Sequence, residues 1–239
     1  MHRFYAACPL HPGDTLTLPA DTARHVQVMR LQPGDALTLF NGLGGSHSAR
    51  VLSMGRQQVE VVILQHDTSE RESLCQTQLV MGMPANERMD WLVEKATELG
   101  VSRITPVMTQ HTVLRLTGER GLKRQAHWQG IAQAACAQSG RNRVPQIDAP
   151  LSLNDWFKSS SNDTHIAKYL LSLHTDARPW RAVWGANAPS QLVLLSGPEG
   201  GLSSDEEAIA MAAGFVPVHL GARVLRSETA PLAVLAQLL

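Results

Sequence analysis

Apolar and polar positions change rhythm part-way along this chain of 239 residues. Over residues 1–70 they alternate in short runs, at 14–18, 35–40, 48–53 and 58–64. A period of two sends successive side chains to opposite faces, so each run predicts a half-buried strand. The turn Asn41-Gly42-Leu43-Gly44-Gly45 separates the second run from the third, and Pro33-Gly34-Asp35 closes a short helix predicted over 25–30. Short antiparallel strands with glycine turns predict a small β-barrel. The polar stretch 66–73 then reads as a linker.

From Cys75 onward, apolar runs alternate with longer stretches of helical period. Strands are predicted at 78–83, 104–108, 144–147, 166–173, 192–195 and 216–220. Over 86–99, Met89, Leu92, Val93, Ala96 and Leu99 fall on one helical face, and Gly100 stands where a helix end favours a left-handed residue. Further helices are predicted at 121–138, with Ile131, Ala134 and Ala135 inward, and at 204–213 and 228–239. Strand–helix alternation predicts an α/β domain built on a mostly parallel sheet covered on both faces.

Composition narrows the function. A hydrophobic fraction of 44% and a charged fraction of 18% suit a globular chain with a sizeable core. The 21 basic and 21 acidic side chains cancel, so a nucleic-acid partner must meet a local basic face. Such a face is available between His111 and Arg143, where Arg115, Arg120, Lys123, Arg124, Arg141 and Arg143 are opposed by Glu119 alone. A solvated helix face is the plain alternative. Cys8, Cys75 and Cys136 form no paired spacing, and the His residues show no ligand spacing. These features predict a reducing compartment, no disulfide framework and no metal. No apolar run reaches membrane-spanning length, so a soluble cytoplasmic protein is expected.

Three loops carry candidate chemistry, because ligands in open α/β sheets gather beyond the carboxyl ends of strands. The first is Ser196-Gly197-Pro198-Glu199-Gly200-Gly201. Its glycines suggest phosphate, yet it lacks the lysine of a phosphate loop. Ser203 and Glu206 form a capping-box pattern, so the following helix satisfies its own first amides and leaves no room for an anion. Two readings stay open: a plain tight connection, or a backbone cradle for an uncharged or cationic ligand. The second loop, Leu220 to Pro231, sets Arg223, Arg226 and Glu228 between a strand and a helix starting near Thr229. The third, Gln138 to Pro145, flanks Asn142 with Arg141 and Arg143, a pattern suited to phosphate and base edges.

The motifs E-K-A-T-E-L-G-V (94–101), Q-S-G-R-N-R-V-P (138–145), G-P-E-G-G (197–201) and L-G-A-R-V-L-R-S-E-T-A (220–230) occur in order along one chain. Together they resemble the RsmE family of small-subunit ribosomal RNA methyltransferases, SPOUT-superfamily enzymes acting on N3 of a uridine in 16S ribosomal RNA. Arg3-Phe4-Tyr5 and the stretch from His25 to Asp35 fit the family's opening pattern. The resemblance implies a PUA-like β-barrel RNA-binding domain at 1–70. A SPOUT α/β methyltransferase domain at 74–239 would follow, ending in a deep trefoil knot that forms the S-adenosylmethionine pocket. It further implies a homodimer with the active site at the subunit interface, and 16S ribosomal RNA in the assembled small subunit as partner. One departure is Ala222, where the family usually has proline, which leaves φ there unfixed. Relatives commonly run several residues past the position of Leu239.

By motif matching, Leu195, Ser196, Gly197, Pro198, Glu199, Gly200 and Gly201 form one pocket wall. Leu220, Gly221, Val224, Leu225 and Arg226 form another, and the strand end from Leu171 to His174, with Leu173 and His174 foremost, a third. Methyl transfer to an imide nitrogen requires that its proton leave and that charge growing on the base oxygens be stabilised. Arg226 and Arg143, with Arg141, are the candidate cations, and Glu228 the candidate proton acceptor, with water as its alternative. The expected RNA footprint joins Arg3, Arg24 and Arg30 to Arg115, Lys123, Arg124, Arg141, Asn142 and Arg143. Two readings compete: a SPOUT enzyme acting on another ribosomal or transfer RNA base, and a non-catalytic RNA-binding assembly protein. A dehydrogenase is disfavoured, because the dinucleotide fingerprint is missing.

Overall fold

A computed structural model describes residues 2–56, 58–85, 87–160, 165–184 and 189–239. The chain divides into two compact units, Met1–Glu72 with Gln133–Val144, and Ser73–Ala132 with Pro145–Leu239.

The first unit holds β1 (His2–Tyr5), β2 (Thr15–Thr17), α1 (Ala20–Val28), β3 (Ala36–Phe40), β4 (Ser46–Met54) and β5 (Val59–Asp67). They form one five-stranded sheet in the order β1-β3-β4-β5-β2. Alternation along β4 and β5 buries Ala49, Val51, Val59, Val61 and Ile63 against Phe4, Leu37, Leu39 and Val26. Each such side chain contributes about 1.5–3 kcal/mol by leaving water. Three expectations need correction. β1 is an additional strand, and it pairs with β3 in parallel, so the sheet is not purely antiparallel. The helix predicted over 25–30 begins after Pro19 instead, burying Thr22, Ala23 and Val26. The stretch 66–73 is no free linker either: β5 runs through Asp67, and Glu70 accepts a hydrogen bond from the Gly45 amide at 2.8 Å.

The second unit begins with β6 (Gln76–Gly82), α2 (Glu87–Glu98), β7 (Arg103–Met108) and α3 (Gly118–Ser139), whose last residues belong to the first unit. β8 (Gln146–Ile147), β9 (Leu151–Ser152), α4 (Leu153–Ser159), β10 (Ala167–Leu171), β11 (Arg178–Pro179) and α5 (Trp180–Val183) follow. β12 (Gln191–Ser196), α6 (Ser204–Ala212), β13 (Val216–His219) and α7 (Thr229–Leu235) complete it. Seven strands run in the order β11-β13-β10-β12-β6-β7-β8, with β9 paired to β7. All of these pairings are parallel.

The face predicted on α2 is the buried one: Met89, Leu92, Val93 and Ala96 are enclosed, and Gly100 takes φ 88° beyond the helix end. Leu92→Ala there would cost about 2–5 kcal/mol. On α3 the expectation fails in detail. Trp128, Ala132, Ala135 and Cys136 face inward, whereas Ala134 is exposed. Asn86, the predicted start of α2, lies outside the described residues. α7 ends at Leu235, short of the predicted 239. β9, β11, α4 and α5 were not predicted. No helix among the described residues is long and apolar enough to cross a membrane.

Candidate functional site

Within the second unit, β12, β10 and β13 lie side by side and in parallel, so the loops leaving their carboxyl ends converge. A cavity opens there. It is lined by Leu171, Ser172 and Leu173 after β10, and by Ser196, Gly197, Pro198, Glu199 and Gly201 after β12. Val218, His219, Leu220, Gly221, Arg223, Val224, Leu225, Ser227 and Ala230 supply the remaining side. The lining is mostly aliphatic, with serine hydroxyls and glycine backbone interspersed.

Steric necessity explains the glycine loop. A Cβ on Gly197 would stand 2.8 Å from the Gly201 carbonyl carbon and the Leu202 nitrogen, closer than real contacts allow. Gly201 closes the turn at φ 71°, its amide donating to the Pro198 carbonyl at 2.9 Å. Gly82 at the end of β6 is equally constrained, since its Cβ would meet Pro198 Cδ at 2.5 Å. The predicted capping box is present: Glu206 N donates to Ser203 Oγ at 3.3 Å and Ser203 N to Glu206 Oε2 at 2.9 Å. The same carboxylate accepts the Gln110 amide through Oε1 at 2.8 Å. Ser172 donates its hydroxyl to Glu207 at 3.0 Å and accepts the His174 amide at 3.0 Å. The α6 terminus is thus capped and acidic, the opposite of an anion site.

Glu199 and Glu228 meet a residue the sequence did not single out. Arg88 Nη1 donates to Glu199 Oε1 at 3.0 Å, and the Ala85 amide donates to the same oxygen at 2.9 Å. Arg88 Nε lies 3.9 Å from Glu228 Oε1, while Ser227 Oγ donates to Glu228 Oε2 at 3.1 Å. Glu228 is 8% exposed. It caps α7 only by position: its side chain makes no capping hydrogen bond.

The predicted cofactor residues divide accordingly. Leu173, Ser196, Gly197, Pro198, Glu199, Gly201, Leu220, Gly221, Val224 and Leu225 border the cavity. His174, Leu195, Gly200 and Arg226 do not. Leu195 is fully buried with Val80, Leu170 and Val193, since β12 is a central strand buried on both faces from Leu192 to Ser196. Gly200 faces His111, whose Cβ would lie 2.9 Å from an added Cβ. Arg226 is exposed, and Glu228 is buried without bordering the cavity. Leu171 and Ser172 of the predicted strand end and Arg223 of the second candidate loop also border it, whereas Val218, His219, Ser227 and Ala230 were missed, although period-two spacing from Leu220 brings Val218 to the same face.

In the first unit, the Q-S-G-R-N-R-V-P stretch is corrected most. Arg141 and Asn142 are 3% and 4% exposed. Arg141 Nε donates to Glu72 at 3.2 Å, and Asn142 Nδ2 to the Ser69 carbonyl at 2.8 Å. Arg3 Nη2 donates to Asn142 Oδ1 at 2.8 Å and to the Arg141 carbonyl at 3.1 Å, with its guanidinium 5.0 Å over the Phe40 ring. Burial, with Arg71 adding repulsion, lowers the Arg3 pKa. Arg3, Arg141 and Asn142 therefore brace the unit from within, Arg141 and Asn142 bonded to Glu72, Ser69 and Arg3, although Arg3 Nε is buried without a hydrogen-bond partner. Of Arg141, Asn142 and Arg143 only the last is exposed, 3.6 Å from Glu70. Arg24 and Arg30 are exposed in the first unit, and Arg115, Lys123 and Arg124 in the second. Among the described residues no cluster of His, Cys, Asp and Glu could hold a metal ion.

An RNA methyltransferase domain model matches residues 70–239, and an RNA methyltransferase PUA domain model matches 18–64. The crystal structure of ribosomal RNA small subunit methyltransferase E from Neisseria gonorrhoeae, bound to S-adenosyl methionine, superposes with a TM-score of 0.92. It is 38% identical, over 99% of this chain and 96% of that one. The chain belongs to the ribosomal RNA small subunit methyltransferase E family. The family member from Synechocystis is 30% identical over 94% of this chain and 72% of its own length. A putative methyltransferase from Legionella pneumophila, solved with its cofactor SAM, is 33% identical with a TM-score of 0.91, over 99% and 96% of the two chains. The four-motif resemblance is borne out, and with it the α/β fold carrying a PUA-like domain.

Proposed function

We propose that this chain transfers a methyl group from S-adenosylmethionine to N3 of a uridine in 16S ribosomal RNA of the small subunit. The carrying observation is the cavity built by Ser196 to Gly201 and Leu220 to Ala230, beside a helix terminus that is already capped. Its aliphatic walls, serine hydroxyls and close glycine backbone fit an adenosine carrying a sulfonium side chain and no phosphate. The cofactor would supply an electrophilic methyl group there. Leu173, Leu220, Val224 and Leu225 would hold its apolar parts out of water, and the Ser196 to Gly201 backbone its polar edges.

Arg226, exposed on the loop that closes the cavity, would stabilise negative charge developing on the uracil oxygens. The imide proton would leave to water. Arg24 and Arg30 on the first unit, Arg143, and Arg115, Lys123 and Arg124 would contact the RNA backbone, giving affinity that falls steeply with salt. In this reading 1–70 is a PUA-like RNA-binding domain and 74–239 a SPOUT domain. A trefoil knot in the latter is supported by the sheet order, in which β13, the last strand of the chain, lies between β10 and β11. Leu173 and Val224, 72% and 76% exposed at the cavity, support a homodimer that covers them in the cytoplasm.

The test is methyl incorporation into small subunits from cells lacking the protein, followed by mapping of the modified nucleotide. A methyl group at uridine N3 is the expected product. Methylation of another base would point to a different SPOUT activity, and cofactor or RNA binding without transfer to an assembly role.

A further inference from the structure

Arg88 lies outside every motif described above, yet it reaches two of them. Its Nη1 is 3.0 Å from Glu199 on the loop after β12, and its Nε is 3.9 Å from Glu228 on the segment after β13. These are the two main walls of the cavity, and Arg88 itself sits in the first turn of α2. The two carboxylates differ in exposure, with side chains 35% and 11% accessible for Glu199 and Glu228. A carboxylate as enclosed as Glu228 is costly without a counter-charge, and Arg88 is the cation placed to supply it. The Ala85 amide on Glu199 and the Ser227 hydroxyl on Glu228 hold each carboxylate from its other side. The planar guanidinium fork suits such bridging, since one rigid group presents donors in two directions.

We propose that Arg88 is a positioning residue that ties Glu199 to Glu228 and so sets the separation of the two cavity walls. Glu228 acts through that tie, because it does not border the cavity and cannot reach a substrate from its buried place. Pulling the tie loose frees the glycine loop and the start of α7 together, and the cofactor then binds a cavity it must first assemble. The inference rests on the cofactor reading above.

The experiment is calorimetric titration with S-adenosylmethionine, together with kcat and KM, for Arg88→Ala, Arg88→Lys, Glu199→Gln and Glu228→Gln. Arg88→Ala and Glu228→Gln are expected to raise the cofactor Kd about tenfold. At saturating cofactor, their kcat is expected to fall by no more than about threefold. Arg88→Lys, a point charge without the fork, recovers only part of the affinity. Adding Glu199→Gln to Arg88→Ala costs less than the two changes do singly, since both cut one link. Cofactor affinity within about twofold of wild type in both Arg88→Ala and Glu228→Gln would overturn the proposal. So would Glu228→Gln lowering kcat about a hundredfold at unchanged Kd, which would mark Glu228 as the proton acceptor. Should Arg88→Ala fail to fold, Arg88→Lys and Glu199→Gln carry the same comparison. Wild-type protein that binds no S-adenosylmethionine would sink the cofactor reading itself; normal wild-type binding with unaffected variants sinks only the tie.

Discussion

Two arginine-bearing stretches of this chain look alike as sequence and behave as opposites in the fold. Arg141-Asn142-Arg143 follows α3, and Arg223-Val224-Leu225-Arg226 follows β13. In the first, Arg141 and Asn142 are enclosed and bonded to Glu72, Ser69 and Arg3. In the second, Arg223 borders the cavity and Arg226 stands in solvent, where a ligand could meet them. The chemistry that makes guanidinium good at reading phosphate also makes it good at satisfying a buried carboxylate and a backbone carbonyl. What decides between the two uses is whether partners inside the chain already occupy the donors.

The sharpest way to break this comparison is Arg141→Ala. It strands the Glu72 carboxylate in a mostly buried place and should cost about 3–5 kcal/mol of stability, read by urea denaturation. Replacing both partners with methionine should recover much of that loss, because no unpaired charge remains. A small stability loss combined with weakened RNA binding would restore Arg141 as a reader. Arg226→Ala is the opposite case. Its stability should change by within about 0.5 kcal/mol, as for other exposed positions. Its kcat at saturating cofactor should fall about a hundredfold, equivalent to about 2.7 kcal/mol of transition-state stabilisation.

Gly197→Ala addresses the cavity wall instead of its charges. The added methyl carbon lies 2.8 Å from backbone on the far side of the loop, so the turn must open or the chain strain. Overpacking of this kind costs about 1–3 kcal/mol. Cofactor affinity should fall with it, while the first unit keeps its denaturation midpoint. Unchanged affinity would show that the loop shape is not what the ligand reads.

Elements with one strong internal signal could be read from the chain. The stripe Met89, Leu92, Val93 and Ala96 and the Ser203–Glu206 box are local patterns, complete within a few residues, and both stand as expected. α1 was displaced because its buried face uses Thr22 and Ala23, with the Thr22 hydroxyl donating to the Tyr5 carbonyl at 2.7 Å. Periodicity of large apolar side chains gives no signal at a face built on a threonine and an alanine. α4 was missed although Ser152 caps it by accepting the Asp155 amide at 3.0 Å, a local signal that was there to be used. The glycine loops were legible as a candidate site because a turn demands glycine wherever a Cβ would clash. The Arg88 tie was not, since its partners lie 111 and 140 residues away and only the parallel sheet brings them together.

The gentlest perturbation separates the two regions by pH. In the first unit His47 is 6% exposed and stacks on His66 with ring centroids 4.4 Å apart. Burial first, and then the neighbouring His66 and His11, push its pKa below the ordinary value of 6.5. The neutral ring is therefore the form the fold accepts. Well above pH 6.5 neither folded nor unfolded chain protonates His47, and its full contribution is present. As pH falls through that value the unfolded chain takes up the proton first, so stability drops until the folded pKa is passed. His47→Gln should flatten this dependence, and the wild-type-minus-variant difference in melting temperature should fall between pH 7.5 and 5. One proton is at stake here, against a whole ion pair at Arg141, so the shift should be the smallest of the four. Parallel curves for the two proteins would mean that the stacked pair tolerates a charge, and that the first unit is less tightly closed around its polar groups than the Arg141 network implies.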